Sequence, residues 1–290
     1  KKFLINDSSY SEHKKLINDS QNVVLTGGLF FILFFILFSI FDINLILFIF
    51  LIFLIGIFSD LKLINNPNVR LILQSLIVFI FIKNLELEIY FTDLKYLDYI
   101  LEYKYVGLFF SAFCILVLIN GSNFIDGLNS LLIVYYILVL LSIIGLTKYH
   151  LIIFDLNYIV NLTLILSVIL IFNLLNKSFL GDSGAYSISC LVGYLSINYF
   201  KTVQDLSVLF VVIILWYPAF ETLFSIIRKL IYKSGPSSPD NKHLHHKLFK
   251  FILSKTKKKY LSNILAACSI NLYNFVIFFI AIIYYQNSIF

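Results

Sequence analysis

Long apolar runs recur along almost the whole chain and leave few positions for the polar surface that a soluble protein needs. Of the 290 residues, 60% are hydrophobic and 13% are charged, whereas soluble domains carry about 25% charged residues. Lipid must therefore be the solvent for most of the surface. The sequence predicts an integral membrane protein.

Nine apolar segments can be distinguished, and none alternates as the strands of a barrel do. They lie at about 27–41, 43–58, 71–82, 107–120, 131–146, 151–172, 185–200, 206–230 and 261–285. Only a helix satisfies its own backbone hydrogen bonds in hydrocarbon, and the shorter segments are expected to extend into their polar flanks. The prediction is an all-α, polytopic protein with about nine transmembrane helices in one domain, 1–290.

Charged residues are distributed unequally between the loops on the two sides of the membrane. If the polar segment 1–26 is cytoplasmic, the connections 59–70, 120–130, 173–184 and 231–260 share its side. The loop 233–260 carries eight lysines and one acid, whereas the opposite loop 83–106 carries five acids and three lysines. Lysine-rich connections face the cytoplasm. The net charge of +6 is therefore explained by the lysine-rich cytoplasmic loops and by their attraction to anionic lipid headgroups. It does not indicate nucleic-acid binding.

Polar residues suited to chemistry form four clusters, and all four fall on the predicted cytoplasmic side. They are Ser59 and Asp60; Asn120, Asn123, Asp126 and Asn129; Asp182 in F-L-G-D-S-G; and Lys242, His243, His245 and His246. Carboxylate oxygens suit Mg²⁺, and basic or imidazole groups suit a diphosphate. The combination indicates phosphoryl transfer between a water-soluble and a lipid substrate.

Each cluster also has a purely structural interpretation. Asp60 can end a helix at headgroup level, G-D-S-G can form a tight turn, and N-x-x-D-G can cap a helix. The histidines can lie in a solvated loop, and their spacing does not stack three zinc ligands on one helix face. Only the conjunction of all four clusters on one side favours a functional site.

The order of the motifs resembles that of the polyprenyl-phosphate N-acetylhexosamine-1-phosphate transferases, glycosyltransferase family 4, which include the phospho-MurNAc-pentapeptide translocase. The matching landmarks are T-G-G at 26–28, G-x-x-S-D at 56–60, N-x-x-N-x-I-D-G-L-N at 120–129, F-L-G-D-S-G at 179–184 and P-D-N-K-H-L-H-H at 239–246. The resemblance implies one further helix before Lys1. It also implies transfer of a sugar-1-phosphate from a UDP-N-acetylhexosamine to polyprenyl phosphate, with release of UMP, at the start of cell-envelope glycan synthesis.

The resemblance further implies a role for each matching residue. Asp182, helped by Asn123, would ligate Mg²⁺, with Mn²⁺ as an alternative, and Asp60 would lie beside the attacking lipid phosphate as a positioning group or base. Asn123 and Asp126 would organise the metal and nucleotide pocket. The three histidines would hold the diphosphate or assist departure of UMP. Substrate contacts would come from Ser59, Asn120, Asn123, Asn129 and Lys242. The site would face the cytoplasm from the inner (plasma) membrane, and a homodimer is left open.

Two positions depart from the pattern of better-known members of that family. Ser59 stands where those members have the first of two adjacent aspartates, and Asn129 stands in place of a second aspartate. The identity of a general base is therefore open. Two other functions also stay open, a polytopic transporter and a catalytically silent member of the family. Release of UMP that depends on a UDP-sugar separates the enzyme from both.

Overall fold

The computed structural model describes residues 25–38, 42–203, 205–231 and 243–286. Every regular element in these ranges is an α-helix, which agrees with the all-α prediction. In chain order the helices are α1 (Gly27–Phe38), α2 (Ile43–Asp60), α3 (Pro67–Asn84), α4 (Lys95–Leu101), α5 (Lys104–Ile125), α6 (Leu131–Tyr149), α7 (Asn157–Leu174), α8 (Gly181–Thr202), α9 (Val208–Ile214), α10 (Trp216–Ile231), α11 (Leu244–Thr256) and α12 (Lys259–Ile283). The predicted residue Lys242, and most of the polar segment 1–26, lie outside the described residues.

Six of the described helices are long and apolar enough to cross a membrane, and the bent pair α9–α10 makes a seventh if it counts as one span. The protein is therefore a polytopic membrane protein. The predicted count of about nine includes two segments that do not meet this description. Helix α1 has 12 residues, and α8 is long but rich in glycine and serine.

Helix α8 is buried along most of its length between α1, α2 and α5. Glycines allow this close packing, as small residues generally do between membrane helices. A Cβ atom added to Gly56 of α2 would lie 2.3 Å from the Cα of Ser183, and one added to Gly28 would lie 2.6 Å from the backbone nitrogen of Gly184. Because α8 faces protein more than lipid, its sequence does not need to be strongly apolar.

The predicted segment 206–230 is divided into α9 and α10, which are bent by 74° relative to each other. Pro218 explains the break, since proline has no N–H to donate to the carbonyl group of residue 214. The Tyr135 hydroxyl donates to that carbonyl of Ile214 at 2.8 Å instead. The hydrogen bond lost to proline is thus replaced by a side chain of α6.

Contacts between helix ends define two ends of the bundle. At one end, α2 finishes beside the first residues of α8, and the N–H of Gly27 donates to the carbonyl of Phe179 at 2.9 Å. At the other end, the Lys201 ammonium of α8 donates to the Glu86 carbonyl after α3. Helix α8 therefore runs from one end to the other, over ~33 Å at 1.5 Å per residue. All four predicted clusters, as far as they are described, lie at the first end, called here the site end.

Candidate active site

Three helices bring a serine, an arginine and an aspartate into direct contact at the site end. Asp182, in the first turn of α8, accepts hydrogen bonds at Oδ2 from Ser59 Oγ of α2 at 2.6 Å and from Arg70 Nη1 of α3 at 2.9 Å. Arg70 Nη1 also donates to Ser59 Oγ at 2.5 Å. All three side chains are half-buried, so their electrostatic attraction is screened less than on an open surface. The guanidinium cation of Arg70 is thus held next to the carboxylate of Asp182, whose Oδ2 both Arg70 and Ser59 orient.

Asp60 has a different set of contacts from its neighbour Ser59. Its Oδ1 accepts the backbone N–H of Asp182 at 2.8 Å, and its Oδ2 accepts that of Ser183 at 3.1 Å. The first N–H groups of a helix have no partner within that helix, and Leu180, the residue before α8, makes no side-chain capping bond. Asp60 therefore caps α8 from another helix, where a negative charge also complements the helix dipole.

The local sequence explains why both Ser59 and Asp60 face α8. Gly56, Ser59 and Asp60 are spaced by three and four residues, which puts them on one side of α2. Gly181 has φ of +70°, a conformation that favours glycine, and a Cβ there would lie 2.7 Å from Asp60 Oδ2. The glycine before Asp182 is thus required both by the turn into α8 and by the approach of the capping carboxylate.

Helix α5 adds two asparagines next to this group. Asn123 Nδ2 donates to the Tyr186 hydroxyl at 3.3 Å, and that hydroxyl in turn lies 3.4 Å from Asp182 Oδ2. Asn123 Oδ1 is buried and has no hydrogen-bond partner among the residues that the structure describes. Asn120 is one turn earlier and donates to the Leu116 carbonyl at 2.9 Å and to Gln74 at 3.4 Å. Asn123 therefore belongs to the Asp182 group, whereas Asn120 bonds mainly within α5 and makes a longer contact with α3.

The three histidines form a buried cluster against the loop that follows α5. Their rings are 3%, 0% and 4% exposed for His243, His245 and His246, and the centroids of His245 and His246 are 4.2 Å apart. A Cβ added to Gly127 would lie 2.8 Å from His245 Nε2, so the loop needs a glycine there. Asp126 ends α5 one residue earlier and is half-buried. The predicted motifs D-G and H-L-H-H are thus brought together.

Burial changes the protonation of the central histidine. Desolvation, reinforced by the nearby His246 and His243, holds the pKa of His245 well below its usual value near 6.5. Neither ring nitrogen of His245 has a hydrogen-bond partner among the described residues. Burial therefore favours the neutral form of His245, and a bound anion would raise its pKa by favouring the charged form.

Asn129 lies apart from these groups and ties loops together. Its backbone N–H donates to Asn263 of α12 at 3.1 Å, and its side-chain amide donates to Asn176 in the loop after α7. The N–H of Ser130 donates to Asn173 at 2.7 Å. Asn129 is only 2% exposed, and its Oδ1 has no hydrogen-bond partner among the described residues. These contacts hold the 126–130 loop, and the predicted substrate contact of Asn129 stays a prediction.

Two important members of the site were not singled out in the sequence, although each carried a signal. Arg70 is one of two arginines in the chain and ends the predicted connection 59–70, which begins with Ser59 and Asp60 and faces the same side as the other clusters. Glu221 is an acid within the apolar segment 206–230, and the structure pairs it with His243 at 2.8 Å. Tyr186 had no comparable signal, because its role depends on the contact between α5 and α8.

The oxygen atoms of the site can be compared with the ligands that a metal ion needs. Within the described ranges no three His, Cys, Asp or Glu side chains are grouped so that they could hold a metal ion. Mg²⁺ does not need such a cage, since it commonly uses one or two carboxylates together with substrate phosphates and water. The carboxylate of Asp182 and the unpartnered Oδ1 of Asn123 suit that kind of binding.

The fold and the site together define a polytopic helical membrane protein with a charged, half-buried site at one end of its bundle. A model of the family described as "Glycosyl transferase family 4" matches residues 42–200. The chain belongs to this family.

Two curated relatives are similar to the chain. One is the "Probable undecaprenyl-phosphate N-acetylglucosaminyl 1-phosphate transferase" of Bacillus subtilis, 31% identical over 208 residues, which are 69% of this chain and 56% of that protein. Another is the "Undecaprenyl-phosphate alpha-N-acetylglucosaminyl 1-phosphate transferase" of Thermotoga maritima, 37% identical over 70 residues, 24% of this chain and 23% of that protein. The matches thus span about half or less of the relatives' lengths.

Proposed function

We propose that this protein transfers a sugar-1-phosphate from a UDP-N-acetylhexosamine to a polyprenyl phosphate and releases UMP. The observation that carries the proposal is the meeting of Asp182, Arg70 and Asn123 at the same end of the bundle as the buried histidines. The names of the two relatives support the same reaction, since both refer to undecaprenyl-phosphate and N-acetylglucosaminyl 1-phosphate transfer.

In this reaction an oxygen of the lipid phosphate attacks the sugar-bearing phosphorus of the UDP-sugar. The bond from that phosphorus to the bridging oxygen breaks, and the electron pair leaves with UMP. A phosphate anion is already a competent nucleophile near neutral pH, so a dedicated base is not required. The protein's task is to position both reactants and to stabilise the developing negative charge.

The described residues divide this task between them. Asp182 and Asn123 would hold Mg²⁺ or Mn²⁺, which would neutralise charge on the diphosphate when bound. Arg70 would offer a guanidinium group to phosphate oxygens, a pairing that suits its fork of donors. His243, His245 and His246 would hold the diphosphate or assist departure of UMP. Asp60 would keep the first turn of α8, and with it Asp182, in place.

Release of UMP is the direct test of this function. Membranes containing the protein are incubated with undecaprenyl phosphate and, one at a time, a panel of UDP-N-acetylhexosamines. We expect one or more of the sugars to yield UMP and a lipid whose mass equals undecaprenyl diphosphate plus the sugar. A transporter or a catalytically silent protein would yield neither product with any sugar, and that result would overturn the proposal.

The site end is proposed to face the cytoplasm, with α1 and α8 also crossing the membrane to give nine crossings. The test uses a variant whose three native cysteines are replaced by alanine. Cysteine at Leu63, 69% exposed beside Asp60, should react with an impermeant thiol reagent only after the cell is opened. Cysteine at Tyr96, 92% exposed at the opposite end, should react in intact cells. The reverse labelling pattern would place the site outside, away from cytoplasmic UDP-sugars.

A further inference from the structure

Glu221 is a buried acid that the roles above do not use. It lies on the buried face of α10 and is 2% exposed. An ionised carboxylate in such surroundings is costly unless it is hydrogen-bonded or paired. Its partners therefore indicate what the acid contributes.

Within the described part of the chain, the Glu221 carboxylate bonds to the N-cap and the first residue of α11. Oε2 lies 2.8 Å from His243 Nδ1, and Oε1 accepts the backbone N–H of Leu244 at 2.9 Å. His243 is the N-cap residue of α11, and its own side chain makes no capping bond. Glu221 thus performs the capping from another helix and holds the beginning of the histidine segment against α10.

The ring of His243 is also constrained by two nearly parallel rings. Its centroid lies 5.1 Å from that of Phe124, with 28° between the planes, and 5.6 Å from that of His245, with 11° between the planes. Phe124 follows Asn123 on α5, so His243 packs against the helix that also supplies Asn123 to the Asp182 group. Stacking sets the plane of the imidazole, while the bond to Glu221 sets its rotation within that plane.

The bond to Glu221 also determines which nitrogen carries the proton. An ionised carboxylate can only accept a hydrogen bond, so Nδ1 of His243 must be the donor. When a carboxylate holds one ring nitrogen of a histidine, the other nitrogen is the one presented to a ligand. For His243 that nitrogen is Nε2.

We propose that Glu221 is a positioning residue of the transferase site. It fixes the Nδ1–H tautomer and the rotation of His243 and leaves Nε2 to take up a proton from solvent when the nucleotide sugar binds. The Nε2–H of the resulting imidazolium, still paired with Glu221 through Nδ1–H, donates to the diphosphate. The inference rests on the proposed function for its substrate. The tautomer itself is a property of the resting protein and can be measured without turnover.

The variant Glu221→Gln separates positioning from simple structural support. The glutamine carbonyl can still accept the N–H of Leu244, so α11 stays capped and the midpoint of thermal unfolding should change little. The glutamine NH₂ group, however, donates toward His243 Nδ1 and favours the opposite tautomer. We expect kcat for UMP release to fall about 10- to 100-fold, the usual effect of removing a partner that orients a functional histidine. Glu88→Gln, which alters a 6% exposed acid at the opposite end, is the matched control and should keep normal kcat.

Two further measurements decide the case. In a His243→Asn background, adding Glu221→Gln should cause no further loss of kcat, because the effects of residues that act through one another are not additive.

In ¹⁵N-histidine NMR, the His243 signal is assigned by its loss in His243→Asn. It should show Nδ1–H in the wild type and Nε2–H in Glu221→Gln. The inference would be overturned by normal turnover of Glu221→Gln, by a further loss of kcat when Glu221→Gln is added to His243→Asn, or by an Nε2–H tautomer in the wild type. Absence of UMP release from the wild type would instead overturn the proposed function, and the NMR result would still judge the role of Glu221.

Discussion

Asp182→Asn should lower kcat for UMP release by a factor of about 10² to 10³, or ~3 to 4 kcal/mol. The substitution keeps the size of the side chain but removes the charge that Arg70 and Ser59 orient at 2.9 and 2.6 Å. Charge stabilisation counts most in the transition state, so kcat should fall more than substrate affinity. The measurement is UMP release by purified, correctly inserted protein at saturating substrate.

The matched control for Asp182 is Asp155→Asn, which alters an exposed acid at the opposite end that accepts a local hydrogen bond from the backbone N–H of Asn157. It should leave kcat unchanged. If Mg²⁺ is part of the site, EDTA should stop the wild-type reaction and added Mg²⁺ should restore it. Near-normal turnover by Asp182→Asn would contradict the metal-ligand assignment, and undiminished turnover in EDTA would remove the metal from the mechanism.

Asp60→Ala should damage the protein in two measurable ways, because it leaves two backbone N–H groups at the start of α8 without their carboxylate. A hydrogen bond to a charged group contributes about 1.5 to 3 kcal/mol, so the midpoint of thermal unfolding should fall. With the first turn of α8 loosened, Asp182 loses its position, and kcat should fall by at least ~10²-fold.

Substitutions of Ser59 and Asp42 provide the comparison for Asp60→Ala. Ser59→Ala removes one hydrogen bond from Asp182 and leaves Arg70 in contact, so the loss should be an ordinary ~0.5 to 1.5 kcal/mol. Asp42→Ala removes an exposed carboxylate that caps α2 at the opposite end and should leave kcat normal. If Asp60→Ala abolished turnover while the thermal midpoint stayed unchanged, the capping role would be wrong and a direct chemical role would be required. If Ser59→Ala were equally inactive, the serine would take part in the chemistry.

Local signals were sufficient to identify the site motifs, since glycines, aspartates and histidines interrupt a strongly apolar sequence. G-D-S-G predicts a tight turn or a metal motif; the turn is confirmed, and the metal role of Asp182 stays a prediction. Gly181 does adopt a positive φ, and Asp182 does face the other polar residues. Asn129 shares a motif with Asn123, and its predicted contact with substrate stays a prediction. Its neighbours Asn173, Asn176 and Asn263 come from distant parts of the chain, so no local pattern could have shown that it joins loops.

The sequence by itself determined that this protein is helical and embedded in lipid, because apolar runs of membrane length allow the backbone no other way to satisfy its hydrogen bonds. It also determined that the four clusters share one side, since the parity of the apolar runs controls where each connection emerges. Only the tertiary structure decided what each acid contacts. Asp60 turned out to cap α8, Asp182 to pair with Arg70, and Glu221 to hold His243, because each bond joins helices far apart in sequence. Such pairings depend on helix packing, where glycines such as Gly56 set the distance between backbones, and packing of that kind leaves no periodic signal in the chain.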